Sequence, residues 1–87
     1  MTDIHRAAER LDALPEGTVT GTAGVRRFVA SKTAFNAGKS CKIVAEELGG
    51  PDYISLNCYR LNGVSQLRPC EMPLDKVVAF LCDFVPD

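Results

Sequence analysis

The stretch Tyr53-Ile54-Ser55-Leu56-Asn57-Cys58-Tyr59-Arg60-Leu61, followed at once by Asn62-Gly63, constrains this chain more than any other part of it. Alternation of apolar and polar residues over a strand's length predicts a half-buried β-strand over 53–61. Ile54, Leu56 and Cys58 form its core face, and Tyr53, Ser55, Asn57 and Tyr59 form a polar-aromatic face open to water or to a partner. Asn-Gly is the strongest short-range hairpin signal, because a type I′ turn needs positive φ at both central residues. It returns the chain as Val64-Ser65-Gln66-Leu67-Arg68, a strand over 64–68 that Pro69 ends.

A strand needs neighbours, and the preceding segments supply them. Residues 40–48, Ser-Cys-Lys-Ile-Val-Ala-Glu-Glu-Leu, are short for a stable helix, and Gly49-Gly50-Pro51-Asp52 can join them to the central strand as a hairpin loop. With Leu48 facing Tyr53, Ala45 is expected opposite Leu56, Ile43 opposite Cys58, Val44 opposite Asn57 and Lys42 opposite Tyr59. The β-branched residues of 18–23 and the strand-like pattern of 25–35 add two more strands, separated by Ala23-Gly24 and followed by a turn over Asn36-Ala37-Gly38-Lys39. The faces of Phe28 and Val29 stay open, since a slip of one residue exchanges the two sides of a strand.

Both ends read as helix. Over 3–14, Ile4, Ala7, Ala8, Leu11 and Leu14 fall at helical spacing before Pro15 and Gly17 stop the run. Over 73–84, Pro73 suits a first turn and Leu74, Val77, Val78, Leu81 and Phe84 make a broad apolar stripe, closed by Pro86. The expected fold is therefore one α+β domain over 1–87: a five-stranded antiparallel meander, the C-terminal helix across its inner face and the N-terminal helix at its side or edge.

Composition narrows the function class. A hydrophobic content of 46% is that of a globular domain, not of a disordered tail. No apolar run approaches the roughly 18 residues of a membrane span, and the start lacks the basic-then-apolar layout of a signal peptide, so a cytoplasmic location without a membrane partner is expected. Cys41, Cys58, Cys70 and Cys82 form no C-x-x-C pair, and His5 is the single histidine. Buried free thiols are therefore expected rather than disulfides or a zinc site, and no cofactor is implied.

Charge is unevenly spread. Residues 25–68 carry seven basic side chains against three acidic, whereas 1–24 carry two against four and 69–87 one against four. A basic middle thus lies between acidic ends.

Three local features invite a chemical reading. Gly38-Lys39-Ser40 resembles the end of a phosphate-binding loop, but Thr33 stands where that pattern needs glycine and no helix is expected next. In Arg68-Pro69-Cys70-Glu71-Met72-Pro73, a thiol sits beside an arginine just ahead of a helix start, a setting that lowers a thiol's pKa. Cys70 is thus a candidate reactive thiol, although a rigid connector explains the same residues and no catalytic partner is visible. The third feature is the basic strands: Lys42, Asn57, Tyr59, Arg60 and Arg68 are the candidate binding residues, able to combine phosphate attraction with base stacking on an open sheet face.

The layout from Arg27-Phe28 through the strands to the Pro73 helix loosely resembles the single-stranded-DNA-binding domain of the PC4-like transcriptional coactivators, in which a basic four-stranded meander leads into one helix. The short Asn62-Gly63 turn, the formal net charge of −1 and the additional N-terminal helix depart from that family, and no binding residues are carried over from it. The sequence favours a small non-enzymatic binding or oligomerisation module of unknown ligand, with a second copy of itself, as a homodimer, one candidate partner. Single-stranded nucleic-acid binding is the alternative, and thiol chemistry at Cys70 the third.

Overall fold

Two helices share one side of an antiparallel sheet and leave the other side bare. The structure is a computed structural model and describes residues 2–87. In chain order it contains α1 (Thr2–Ala13), β1 (Gly17–Ala23), β2 (Arg26–Phe35), a 3₁₀ turn (Asn36–Gly38), β3 (Ser40–Glu47), β4 (Tyr53–Leu61), β5 (Val64–Pro69), α2 (Leu74–Asp83) and β6 (Phe84–Pro86). The α+β class and the strand over 53–61 are as the sequence predicts. Ser40 opens a strand rather than a helix, so the phosphate-loop resemblance ends there.

The expected five strands become six, in the order β5-β4-β3-β2-β1-β6. The sixth arises because α2 stops at Asp83 and Phe84 turns extended, with φ −69° and ψ 124°, so that Phe84–Pro86 pairs with Gly21–Ala23. Phe84 continues the helical spacing of Val77 and Leu81, and for this reason the pattern over 73–84 reads as one helix. Its buried ring instead stacks on Phe80, centroids 5.0 Å apart, from the first position of the strand. Gly21 makes this approach possible, since a Cβ there would run into the Val85 carbonyl and the Phe84 ring.

The hairpin between β3 and β4 is offset by two residues from the expected register. Ala45 lies opposite Ile54, Ile43 opposite Leu56, Lys42 opposite Asn57, Val44 opposite Ser55 and Cys41 opposite Cys58. A two-residue slip keeps every side chain on its own face, so matching apolar to apolar cannot detect it. The loop moves with the register: the Glu47 amide donates to the Asp52 carbonyl at 2.9 Å, so Leu48 joins the loop instead of facing Tyr53. At the next hairpin Asn62 and Gly63 take φ of 54° and 77°, as a type I′ turn demands.

The core lies between the sheet's inner face and both helices. Phe28, Ala30, Ile43, Ala45, Ile54 and Leu56 meet Ala7 and Leu11 of α1 and Val77, Phe80 and Leu81 of α2. α1 is therefore a full partner in the core beside α2, not an element at the sheet's edge. Two side chains anchor it: Arg10 Nη2 donates to the Phe84 carbonyl at 3.2 Å, and Lys32 Nζ donates to the Leu11 and Leu14 carbonyls at 2.8 and 2.9 Å.

Candidate functional site

The face turned away from the helices is built by the alternation that defines the strands. On β3 the buried residues Cys41, Ile43 and Ala45 alternate with the exposed Lys42, Val44 and Glu46. On β4 the buried Ile54, Leu56 and Cys58 alternate with Tyr53, Ser55, Asn57 and Tyr59. Strand register then assembles these residues into rows across the sheet. One row runs Thr33, Lys42, Asn57, Arg68, and the next runs Phe35, Ser40, Tyr59, Gln66. On the other side of Val44 a third row runs Thr20, Val29, Glu46, Tyr53.

Large side chains stay in water on this face. Phe35 is 47% exposed, Val44 36%, Tyr53 49% and Tyr59 44%. Among the described residues Lys42, Glu46 and Arg68 have no ion-pair partner, whereas Arg26, Arg27, Arg60 and Lys76 all have one. The paired set lies at the rim and on the helix side. Asp52, for example, takes Lys76 at 2.6 Å and Arg26 at 3.1 Å. The bond from Lys76 does most to hold its carboxyl below the ordinary value, helped by the Tyr53 amide and Arg26.

Four of the five candidate binding residues, Lys42, Asn57, Tyr59 and Arg68, share two adjacent rows of the open face. Arg60 lies on the opposite side, where Nη1 pairs with Asp12 Oδ1 at 3.2 Å. Successive residues of a strand point to opposite faces, so Arg60 cannot join Tyr59. It rims instead a helix-side cleft of about 170 Å³ that also takes in Lys32, Lys39, Cys41 and Cys58. In that cleft desolvation pushes the Lys32 ammonium below its ordinary value, against the pull of Asp12 and Glu16.

The chain matches no family model, no curated protein and no solved structure.

The cysteines divide into two kinds. Cys41 and Cys58 are cross-strand partners with Cα atoms 5.1 Å apart and their sulfurs in bonding contact, within the span of a disulfide. This differs from the expectation of free thiols, and the two-residue register offset is the reason, because the expected register set Ile43 against Cys58. Cys70 and Cys82 are free. The Cys70 amide donates to the Ser55 carbonyl at 2.9 Å, and Asn57 Nδ2 donates to its sulfur at 3.5 Å. Cys70 therefore extends the Val44-Ser55 row to the edge of the open face.

Phe35, Val44 and Glu46 also belong to this surface, although the sequence reading did not single them out. Period-2 alternation through Lys42 carries a signal for Val44 and Glu46. Phe35 lacks such a signal, because its face depends on the left-handed turn at Asn36, Ala37 and Gly38, with φ of 53°, 57° and 87°. Among the described residues no three His, Cys, Asp or Glu side chains are grouped to hold a metal ion. No helix there is long and apolar enough to cross a membrane.

Proposed function

We propose that this chain is a non-enzymatic binding module whose working surface is the open sheet face. The observation that carries this reading is the asymmetry of the sheet. Both helices lie on one side, while Phe35, Val44, Tyr53 and Tyr59 stand exposed on the other. Several large apolar and aromatic side chains left in water among polar ones on a single face mark a surface suited to a partner. Amide chemical-shift mapping during concentration or ligand titration tests it. Shifts are expected to cluster on Lys42, Val44, Asn57 and Tyr59, and shifts confined to α1 and α2 would overturn the reading.

A second reading, single-stranded nucleic acid, is favoured by one specific arrangement. The rows through Phe35 and Tyr59 and through Lys42 and Arg68 combine two aromatic faces with two cations that have no ion-pair partner among the described residues, at one end of the sheet. Stacking on such rings is worth about 1–3 kcal/mol per base. A labelled thymidine oligomer titrated at about 50 and about 200 mM salt should bind more weakly at the higher concentration if phosphates are contacted. Absence of binding at the lower salt removes this reading.

A further inference from the structure

We infer that the partner of the open face is a second copy of this chain, docked face to face about a two-fold axis that crosses the strands at Val44. The inference rests on the reading that the open face is the working surface, and it is carried by the charge pattern along β3. Lys42 and Glu46 flank Val44 symmetrically on the same face, and neither has an ion-pair partner among the described residues. A two-fold axis lying between the sheets, perpendicular to the strands and over Val44, exchanges the row of Lys42 with the row of Glu46. Each Lys42 then stands over Glu46 of the second copy, and Val44 meets itself.

The same operation is consistent on the neighbouring strands. On β2 the register sets Phe35 over Arg27 of the second copy, a cation on an aromatic ring, and Ser31 over itself. On β4, Asn57 meets Tyr53 and Ser55 meets itself. No like charges are opposed, and the angle of about 30° between aligned sheets leaves these pairings within reach. A patch carrying both signs about a dyad is what an isologous interface requires. A polyanion laid along β3 on the same face would meet Glu46 as well as Lys42, in a chain whose formal net charge is already −1.

The contact is modest in size. Four strands spaced about 4.8 Å, each about eight residues long at about 3.3 Å per residue, present on the order of 500 Å² per copy. That is below the roughly 800 Å² per partner of a standard interface, so the dimer is expected at high micromolar concentration.

Sedimentation equilibrium over about 10 μM to about 1 mM tests the inference, with unfolding midpoints recorded for every variant to confirm that it folds. A monomer–dimer equilibrium is expected. Lys42→Glu and Glu46→Lys should each weaken it about tenfold, and the double exchange K42E/E46K should return it to within about threefold of the original. A monomer throughout overturns the dimer, while the open-face reading is then judged separately by the shift mapping. A dimer indifferent to Lys42, Val44 and Glu46 substitutions but lost in Ala79→Lys, on the exposed side of α2, overturns both. A monomer that binds the thymidine oligomer, and binds it more tightly after Glu46→Lys, assigns the face to nucleic acid and overturns the dimer.

Discussion

Arg27 holds Asp87 through two parallel hydrogen bonds, Nη1 to Oδ1 and Nη2 to Oδ2, each 2.7 Å long. The Thr20 hydroxyl donates a third at 2.7 Å, and the Asp87 amide donates to the Thr20 carbonyl at 2.9 Å. Together these extend the short β6 pairing by one residue. The Arg27 bonds, with Thr20 second, hold the Asp87 carboxyl down at about 2. A carboxyl depressed in the folded state contributes stability that is fully present above its unfolded pKa, about 3.9, and is lost as pH falls through the folded value. An NMR titration of the Asp87 side chain should therefore give a midpoint near 2. Asp87→Asn should remove that part of the acid dependence. A midpoint at the ordinary carboxylate value would refute the fork.

Gly21→Val is expected to displace β6 rather than merely crowd it. Its Cβ would occupy the space of the Val85 carbonyl and the Phe84 ring, both fixed by the β1–β6 pairing and the Phe80 stack. Overpacking of this kind costs about 1–3 kcal/mol. Urea unfolding should show the loss, and hydrogen exchange at the Asp87 amide should rise with it. An unchanged midpoint would mean that the strand adjusts without cost.

The two sides of β4 should respond differently to truncation. Leu56 is fully buried between Ile43 and the helices, and Leu56→Ala should cost about 2–5 kcal/mol. Tyr59 stands on the open face, and Tyr59→Ser should change stability by only about 0.5 kcal/mol. A large loss from the Tyr59 substitution would show that this ring is structural, not kept for a partner.

What the sequence made legible was local. Tyr53–Leu61 announced itself by alternation and Asn62-Gly63 by its turn chemistry, and both sit where expected. The same alternation places Lys42, Asn57, Tyr59 and Arg68 on one face, and it also excludes Arg60, a consequence the sequence reading overlooked. Long-range choices were not legible. Phe84 fits a helical stripe as well as a core-facing strand position, and only its distant partner Gly21 decides between them. The β3–β4 offset is invisible to any argument of period two, yet it alone brings Cys41 to Cys58. Phe35 joins the open face because three consecutive left-handed residues redirect the chain, and of these only Asn36 and Gly38 carry a recognisable preference for that conformation.

Cysteine chemistry should follow this geometry. Cys41 and Cys58 are buried against each other, while Cys70 and Cys82 are free and partly exposed. In the native protein iodoacetamide is expected to label Cys70 and Cys82 and to spare the buried pair, with peptide mass mapping as the readout. If Cys70 is also a functional thiol, it should react far faster than Cys82 at neutral pH. Equal slow rates would leave it a residue of the connector.

Lys32 ties α1 to the sheet, and its removal should loosen that helix from its end. Nζ donates to the Leu11 and Leu14 carbonyls, which lie at the C-terminal end of α1, where helix carbonyls lack intrahelical donors and a cation is favourable. Lys32→Met retains the apolar stem, which packs along the inner face, and deletes the donors. The Leu11 carbonyl keeps the Leu14 amide, but leaving the partly buried Leu14 carbonyl without a donor should cost about 1–3 kcal/mol by urea unfolding. Exchange at the Leu14 amide, bonded to the Leu11 carbonyl at 3.2 Å, should quicken before that of the β3 and β4 amides. Uniform acceleration across the sheet would instead show that α1 and the sheet open as one unit, with Lys32 contributing only to global stability.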